Sequence, residues 1–532
     1  MGRNHQPGTR GGVGAAPDCD DLRVTGLLDA LVARFGPRSP HAARVVQLVA
    51  ERPRGLAELV GETGLSRRSV EQVLQLAGAR ADGDLFRLDD RPDGIAAHVR
   101  PRPAPERSEL LATIAGWIDG APAARRDLDH VAATPETALR RARWLDEQYD
   151  LATAPLLFVG DHDLTALATA LVHPRARVAV VDLDEALLEY IDRTAAAHGL
   201  AVECRYADLR FGLPPELVAA ADVAFTDPPY TPEGVRLFAL AALRGLRHRE
   251  YGQVVISYGT GDGQPALGLK VQQALTDLGL YTEAMLPRFN RYRGAQAIGS
   301  HSDLYVCRAT ARAWRHLDRV DPRAAATTIY THGTHALEAA PRRLAGAADL
   351  LDGDVAGVVG TDWPAGPPST RLATFLGSGL PPAIRRRPGT VAVDLVADPG
   401  PWLLRSLLVA TASRLVLVVR DTHPDLAALP PFVALKYAVE VRRHHPARGL
   451  ATVTAVPVPV GELDRAQRLQ RHVLDRATGV LATVWRDGLV RHAGLPRDAA
   501  RAAVAAPPGA RLVDLPRHRI ATVLDEVAAS AG

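Results

Sequence analysis

The sequence is poor in cysteine and lysine, and it has no long apolar run. Its three cysteines, Cys19, Cys204 and Cys307, show no C-x-x-C spacing. This argues against a zinc ribbon and a disulfide framework, and it fits a reducing compartment. No apolar run reaches the ~18–20 residues that cross a bilayer, and the start of the chain lacks the apolar core of a signal peptide. We therefore expect a cytoplasmic protein without a membrane segment or a metal site.

The charge balance gives no indication of an acidic partner. The formal net charge is +3 over 532 residues, which is close to neutral. Lysine occurs only at Lys270 and Lys436, so nearly all cations are arginines. The hydrophobic fraction of 47% is typical of globular proteins and is sufficient for several cores.

Composition and periodicity divide the chain into four regions and a linker. Residues 1–20 are rich in glycine and are expected to be a disordered tail. Residues 21–97 are predicted to form a winged-helix domain, and a Pro/Arg-rich linker follows at 98–108. Alternating strands and helices predict an α/β catalytic domain at 109–315 and a second α/β domain at 322–532.

The first of these domains shows two amphipathic helices and a hairpin. In "RGLAELVGETGLSRRSVEQVLQLAG" (54–78), Ser66 is the expected N-cap of the second helix, and "ADGDLFRL" (81–88) follows as the hairpin. Either Arg67 and Arg68 of the second helix contact DNA, or the domain is a dimerisation or lid element. Because no wider basic field surrounds these arginines, the second interpretation is favoured.

Residues 109–315 have the strand pattern of a Rossmann-like sheet. The strong apolar runs are each followed by helical periodicity, as in a doubly wound α/β domain. Seven strands with interleaved helices match the sheet of class I methyltransferases and aminopropyltransferases. The strands are predicted at 156–159, 178–182, 201–206, 222–226, 253–257, 281–286 and 303–307.

The first predicted βα turn is acidic where dinucleotide-binding folds place glycines. The stretch "LLFVGDHDLTALATALV" puts Gly160, Asp161, His162 and Asp163 beyond the end of a strand, where open α/β sheets bind ligands. The sequence G-x-G-x-x-G is absent, and two carboxylates would repel a pyrophosphate. The turn therefore favours a cationic ligand such as a sulfonium or an amine. In the alternative interpretation, the carboxylates only cap the next helix.

Further carboxylates follow the next two strands. Asp182 comes about 20 residues after Gly160, the offset at which an acidic residue binds a ribose hydroxyl pair. Asp208 follows the third strand, where such folds commonly contact the adenine amine. An adenosyl group with a positive sulfonium fits this arrangement. The expected cofactor-binding residues are Gly160, Asp161, Asp182, Asp184, Asp208 and Leu209.

The fourth predicted strand leads into "FTDPPYTPEGVRLF" (225–238). Two prolines remove N–H donors and leave carbonyls free to accept, so this turn and Asp227 would form a pocket for an amine, with Tyr230 over it. An alkyl amine has a pKa near 10.4 and is a poor nucleophile until it loses a proton. The same motif marks enzymes that methylate amino groups of adenine or cytosine. A turn without chemistry is the third interpretation.

Five segments, in chain order, are similar to those of one known family. They are "DLDHVAATPETALRRARWLDE", "FVGDHDLTALATAL", "VVDLDEALLEYI", "TDPPYTPEGVRLFALAALRG" and "RFNRYRGAQAIGSHSDLYV". With them the chain resembles the branched-chain polyamine synthases, N4-bis(aminopropyl)spermidine synthases, over about residues 22–310. The resemblance implies a dimeric Rossmann-type aminopropyltransferase that uses decarboxylated S-adenosylmethionine and releases methylthioadenosine. The implied acceptor is spermidine or a related polyamine.

The resemblance also assigns the site residues and shows one departure from the family. The family's quartet Gly-Asp-Asp-Asp aligns with residues 160–163, so His162 replaces a carboxylate. Either a neutral imidazole serves as the base, or the replacement changes or abolishes the activity. The expected catalytic residues are His162, Asp163, Asp227 and Tyr230. The expected substrate-binding residues are Pro228, Pro229 and Asn290.

Other functions stay open beside aminopropyl transfer. One is methyl or other alkyl transfer from intact S-adenosylmethionine to an amine. Another is a DNA-binding regulator whose degenerate transferase domain senses a polyamine or nucleoside, and a third is a scaffold. The intact donor carries a carboxylate that Asp161 and Asp163 should repel, which favours the decarboxylated donor.

The C-terminal region is predicted to alternate strands and helices, and it carries no recognisable catalytic or ligand-binding motif. The stretch 390–421 reads as strand, loop, helix and strand. Further β-type runs are predicted at 449–458 and 479–488, and amphipathic helices at 430–445 and 462–477. No glycine-rich loop or acid pair at useful spacing indicates a function for this domain.

Overall fold

The chain folds into two compact units, Met1–Pro101 and Arg102–Gly532. The computed structural model describes residues 26–90, 92–99, 107–261, 263–295, 298–319, 328–332, 354–360, 363, 366–443 and 449–531. The tail predicted at 1–20 and most of the predicted linker lie outside these residues. Within the described ranges, no helix combines the length and the apolar character that a membrane span needs.

The described part of the first unit contains five helices and a small antiparallel sheet. Its elements are α1 (Leu27–Phe35), α2 (Ser39–Glu51), β1 (Arg54–Gly55), α3 (Leu56–Thr63), α4 (Arg67–Leu76), β2 (Arg80–Asp82), β3 (Leu85–Arg87) and α5 (Ile95–Val99). Gly64 ends α3 in the left-handed region at φ +66°, and the Ser66 side chain accepts from the Ser69 N–H at 3.2 Å. The expected cap and hairpin are thus present, and β1 pairs with β3. The winged-helix assignment stays a prediction.

The second unit begins with the sheet that was expected from the sequence. Its elements are α6 (Arg107–Gly120), α7 (Pro135–Gln148), β4 (Leu156–Val159), α8 (Thr165–Val172), β5 (Val178–Asp182), α9 (Glu185–His198), β6 (Val202–Tyr206), β7 (Val223–Thr226), α10 (Pro232–Gly245), β8 (Gln253–Tyr258), α11 (Pro265–Asp277), β9 (Leu280–Arg291), β10 (His301–Ala309) and α12 (Ala311–Leu317). In the described residues, seven strands pair in the order β6-β5-β4-β7-β8-β10-β9. Strands β4 to β8 are parallel, while β10 runs antiparallel to both β8 and β9. The predicted Rossmann-like α/β fold is confirmed.

The position of the site follows from this order of strands. All four residues of β4 are buried, because helices cover both faces of the parallel sheet. The chain passes from β4 to β5 on one side and later to β7 on the other. The carboxyl ends of these three strands therefore meet at a topological switch point, where α/β sheets bind ligands.

A second sheet follows in the same unit. Its elements are β11 (Val355–Val359), β12 (Ser369–Thr370), α13 (Leu372–Ser378), α14 (Pro382–Arg385), β13 (Thr390–Asp394), α15 (Trp402–Val409), β14 (Arg414–Arg420), β15 (Tyr437–Arg443), β16 (Leu450–Pro457), α16 (Arg465–Leu474), α17 (Leu481–Gly488), α18 (Arg497–Ala502) and α19 (Arg517–Ala529). Six strands of the described residues pair in the order β12-β11-β13-β14-β16-β15, and β16 and β15 run antiparallel to their neighbours. The domain boundaries stay predictions.

Two predictions for this second sheet were wrong. Residues 430–445 were expected to be a helix, but Tyr437–Arg443 form the edge strand β15, preceded by a short 3-10 turn at Pro431–Leu435. Residues 479–488 were expected to be a β-type run, but Leu481–Gly488 form α17. In α17 the buried residues Leu481, Val484 and Trp485 lie on one helical face and pack into the second core, which outweighs the β propensity of Val484 and Trp485.

Candidate active site

A cavity opens at the carboxyl ends of β4, β5, β6 and β7. Its wall contains every predicted site residue except Asp184 and Asn290. Gly160 adopts φ +71°, and a Cβ at this position would lie 3.1 Å from the Phe238 ring. Glycine is therefore required where the chain turns from β4 into the cavity.

Asp161 is buried in this wall and caps helix α8. Its two carboxylate oxygens accept from the Thr165 and Ala166 N–H groups at 2.9 and 3.0 Å. Burial raises the pKa of this carboxyl well above its ordinary value. The capping interpretation of Asp161 thus describes its contacts, although the residue also lines the cavity.

Asp182 ends β5 and accepts two backbone hydrogen bonds. Its oxygens accept from the Asp184 N–H at 2.9 Å and from the Asp161 N–H at 3.3 Å. Burial raises the pKa of Asp182 to about 6. Asp184 does not line the cavity; it caps α9 by accepting from the Ala186 and Leu187 N–H groups. Asp184 thus caps a helix just outside the cavity wall, and its cofactor-binding role stays a prediction.

A fully buried arginine joins the two carboxylates expected to be catalytic. Arg141 on α7 donates from Nη1 to Asp163 at 2.5 Å and from Nη2 to Asp227 at 2.7 Å. The Tyr292 hydroxyl also donates to Asp227, at 2.7 Å. The Ala133 N–H donates to the other oxygen of Asp163 at 2.7 Å. The amine pocket inferred from the sequence is therefore not made of acceptors alone.

This arrangement separates the proton affinities of the two carboxylates. Burial works to raise the pKa of both, but the Arg141 guanidinium holds the pKa of Asp163 below its ordinary value. For Asp227, burial and the neighbouring Asp163 outweigh Arg141 and raise the pKa to about 7. Asp163 is thus the charged partner of Arg141, and Asp227 is a carboxyl that can exchange a proton near neutral pH.

Sequence reasoning missed Arg141, although the sequence carries a signal for it. The buried face of α7 includes Ala138, Arg141, Ala142 and Leu145, which is the i, i+3, i+4, i+7 spacing of an apolar stripe. An arginine in such a stripe indicates a buried, paired charge. Asn290, predicted to bind substrate, accepts from Arg141 Nε at 2.7 Å and lies outside the cavity wall. Asn290 therefore helps to fix the orientation of the Arg141 guanidinium from the side away from the cavity.

His162 is stacked on a second histidine of the cavity wall. The rings of His130 and His162 lie 4.4 Å apart at an interplanar angle of 17°. Among the described residues, His162 Nε2 and His130 Nδ1 are buried without a hydrogen-bond partner. Burial lowers the pKa of His162, and it lowers the pKa of His130 to about 4. Both imidazoles are therefore neutral at neutral pH, with ring nitrogens available to a ligand. His130 was not predicted.

The Asp227-Pro228-Pro229-Tyr230 turn lies in the wall as expected. The Tyr230 carbonyl accepts from the Tyr258 hydroxyl at 3.0 Å, which fixes the end of the turn. Burial raises the pKa of the Tyr230 phenol, so it remains protonated. The turn thus offers a neutral hydroxyl beside a titratable carboxyl.

Residues distant in the chain complete the wall around Asp208 and Leu209. Tyr330 belongs to the region expected to form the second domain, yet it packs into the first core and lines the cavity. Its neighbour Thr331 donates through its N–H to the Asp129 carboxylate at 2.9 Å. Asp208 is not free for an adenine amine, because Arg210 and Trp402 already donate to it.

The first half of the second unit matches one protein family. Residues 109–320 match the family described as Branched-chain polyamine synthase A C-terminal domain. These residues belong to the branched-chain polyamine synthase family. The chain is 35% identical over 193 residues to an uncharacterized protein of Methanocaldococcus jannaschii, over 36% of this chain and 48% of that protein. It is 39% identical over 132 residues to the N(4)-bis(aminopropyl)spermidine synthase of Thermus thermophilus, over 24% and 38% of the two chains.

The chain thus spans about half or less of the length of these curated relatives. A solved structure, the branched-chain polyamine synthase C9 mutein from Thermus thermophilus in complex with N4-aminopropylspermidine and 5'-methylthioadenosine, is also similar. That similarity has a TM-score of 0.38 at 22% identity and covers 59% of this chain and 97% of the other. In the described residues of this chain, no three His, Cys, Asp or Glu side chains are placed to hold a metal ion.

Proposed function

We propose that this chain transfers a 3-aminopropyl group from decarboxylated S-adenosylmethionine to spermidine or a related polyamine, with release of methylthioadenosine. The observation that carries the proposal is the meeting of Asp163, Asp227 and the neutral His162 in one cavity at the switch point of a family-matched sheet. A polyamine is a chain of ammonium groups, and this cavity offers carboxylates to bind them and groups to remove a proton.

The first task of the site is to make one amine nucleophilic. Asp163, kept charged by Arg141, would attract the ammonium form of the acceptor. The reacting nitrogen must then lose a proton to a nearby base, and Asp227 with its pKa near 7 is a suitable acceptor. His162 Nε2 is the second candidate base. The donor's sulfonium supplies the electrophilic carbon, whose C–S bond breaks with its electron pair going to sulfur as the C–N bond forms.

The charges in the wall support the decarboxylated donor. Of the carboxyl groups that line the cavity, Asp163 is charged beside the single arginine, and Asp182 and Asp227 become charged as pH rises through about 6 and 7. Burial works against charge at Asp161. Arg141 cannot serve a ligand carboxylate well, because its Nε, Nη1 and Nη2 atoms all donate to protein groups. An intact methionyl carboxylate would therefore enter the wall without a cationic partner.

N-methyl transfer from intact S-adenosylmethionine is the second candidate. The observation in its favour is the Asp227-Pro228-Pro229-Tyr230 turn, a motif that also occurs in enzymes that methylate amino groups. Nothing in the turn itself distinguishes a methyl from an aminopropyl group.

The deciding experiment offers both donors to the full chain. Purified protein is incubated with spermidine and either donor, and the amine products and the nucleoside are identified by mass spectrometry. We expect aminopropylated spermidine and methylthioadenosine with the decarboxylated donor, and no product with the intact one. Methylated spermidine would establish the second candidate. Absence of any product from spermidine and from other polyamines would refute both.

A further inference from the structure

The C-terminal region, from β11 to α19, contacts the part of the cavity wall that should bind the adenine ring of the donor. The family match ends at residue 320, so α15 and its preceding loop lie outside it. Trp402, the first residue of α15, nevertheless donates from Nε1 to Asp208 Oδ2 at 3.0 Å. Asp208 begins the turn after β6 and lines the cavity together with Leu209.

Trp402 holds both members of an ion pair in this turn. Arg210 donates to Asp208 from its backbone N–H at 3.1 Å, and from Nε at 2.8 Å. Its Nη2 also donates, to the second oxygen. The Arg210 guanidinium lies over the Trp402 ring, 5.1 Å from its centroid, and the Phe211 ring lies 5.2 Å away. With Trp402 as the fourth donor, the hydrogen-bonding capacity of the Asp208 carboxylate is fully used. The turn 208–211 thus packs between the first sheet and the C-terminal region.

Trp402 is itself fixed by a buried network. Asp398 accepts from the Trp402 N–H at 2.9 Å and from the Leu403 N–H at 2.7 Å. His423 Nδ1 accepts from the Asp425 N–H, so its Nε2 carries the hydrogen and donates to Asp398 at 2.9 Å. The start of α15 is therefore rigidly placed against the turn, which is the requirement for a positioning residue.

Two other contacts fasten the same region to the cavity wall. Arg405 of α15 donates to Glu185 at 2.5 Å, and Glu185 follows Asp182 and Asp184 in the chain. The Arg405 guanidinium also lies 4.0 Å from the centroid of the Tyr206 ring. Arg125 donates to the Pro399 carbonyl at 3.0 Å, three residues before the cavity wall begins at Leu128. The C-terminal region thus contacts three segments that lead into the site.

We propose that the C-terminal region is part of the donor site, and that Trp402 is a positioning residue that holds the Asp208–Leu209 turn in its binding geometry. The inference rests on the proposed use of an adenosyl donor. Without the Trp402 N–H and ring, Asp208 and Arg210 lose a buried partner, and the turn must be ordered when the nucleoside binds. That ordering weakens binding of the nucleoside and leaves the amine end of the cavity unchanged.

The test is nucleoside affinity in the full chain carrying Trp402→Phe, which keeps a ring and removes the N–H. We expect the Kd of methylthioadenosine, measured by calorimetry, to rise about tenfold, as for loss of one hydrogen bond to a charged group. The Kd of spermidine should stay within twofold. In turnover, the KM of the donor should rise while kcat is retained. Trp402→His, which keeps a ring N–H, should give a smaller loss and serves if the first variant does not fold.

Trp485→Phe is the matched control. Trp485 is buried in the same region and donates from Nε1 to Ser530 at 2.9 Å, without contact to the cavity wall. The Trp485→Phe variant should have a lower Tm but bind methylthioadenosine with the same Kd as the unchanged protein. Equal nucleoside affinity in all variants, or equal losses in Trp402→Phe and Trp485→Phe, would overturn the inference. If the unchanged protein fails to bind methylthioadenosine at all, the proposed donor is wrong, which is a different outcome.

Discussion

Asp227 and His162 both line the cavity, but their proton affinities are shifted in opposite directions. Burial and Asp163 raise the pKa of Asp227 to about 7, whereas burial and His130 lower the pKa of His162 below its ordinary value. A base at Asp227 becomes active as pH rises through about 7. A base at His162 is already active at lower pH. The two candidates therefore predict different pH dependences.

We expect Asp227→Asn to lower kcat for aminopropyl transfer by about 10²–10⁴, because a positioned base is lost. It should also remove an acid limb near pH 7 from the pH profile of kcat/KM. His162→Asn is the companion variant and should keep that limb. Profiles measured from pH 5 to 9 decide between them. A limb that persists in the first variant and disappears in the second would assign the base to the imidazole.

At the scale of single residues, the sequence located the strand-end carboxylates and missed their partners. Asp163, Asp182 and Asp227 were predictable, because each follows a recognisable strand and the fold brings strand ends together. Arg141 and Tyr330 come from a helix and a distant segment, whose packing against the sheet is a tertiary property. The positions of Asp184 and Asn290 outside the wall likewise depend on which way the chain turns after each strand.

Among the elements, α7 carries the strongest electrostatic constraint. Its Arg141 lies between Asp163 and Asp227 with its side chain fully buried. Removing one partner of a buried ion pair costs about 3–5 kcal/mol, because uncompensated charge remains. The lowered pKa of Asp163 also makes the free energy of unfolding depend on pH. The contribution of Asp163 is fully present above the unfolded pKa near 3.9 and is lost as pH falls through the folded pKa.

Arg141→Met should therefore destabilise the protein by about 3 kcal/mol at pH 8. The loss should be smaller at pH 5, where Asp227 is protonated and only Asp163 is left as unpaired charge. Urea denaturation at both pH values measures the difference. Arg140→Met is the control on the same helix: Arg140 is exposed, and its variant should change stability by less than about 1 kcal/mol at either pH. An equal loss at both pH values would contradict this account of the cluster.

The elements themselves were predicted well in the first sheet and less well in the second. Four strands of the first sheet, β4, β5, β7 and β8, coincide with apolar runs that are each followed by a helix, whereas β6, β9 and β10 gave weaker signals. In the second, Tyr437, Val439 and Val441 alternate with smaller or charged residues along an edge strand, but the spacing of Tyr437 and Val441 also fits one face of a helix. α17 shows the reverse, since Val484 and Trp485, which favour strands, lie on the buried face of a helix once the core is present.

For the molecule as a whole, the first unit raises the question of DNA. Arg67 of α4 pairs with Glu71 at 2.8 Å, and Arg54 pairs with Glu58 at 2.6 Å and with Glu62 at 3.0 Å. These arginines are neutralised locally and do not add up to a basic field. Within the described residues, the helix and hairpin arrangement therefore offers little free positive charge at Arg54 and Arg67 for duplex phosphates.

We expect the full chain to show no sequence-selective shift of duplex DNA. Gel shifts at 50 and 200 mM salt measure this directly. They use a pool of duplex DNA of random sequence and the duplexes that the protein enriches from that pool. A retarded complex that weakens steeply with salt would contradict the expectation, since that slope reports phosphates neutralised by the protein. Arg67→Ala together with Arg68→Ala should then abolish the shift and identify α4 as the reading helix.

The contacts that close the cavity join parts of the chain made at very different times. Thr331 binds Asp129 across 202 residues, and Trp402 reaches Asp208 across 194. At synthesis rates of roughly 5–20 residues per second, each gap corresponds to about 10–40 s. For that interval the nascent sheet carries its acidic turn with the opposite wall missing. A nucleoside that binds as proposed would stabilise the finished protein but not the emerging one, whose acidic turn is held until then by the Arg141 cluster and the first core.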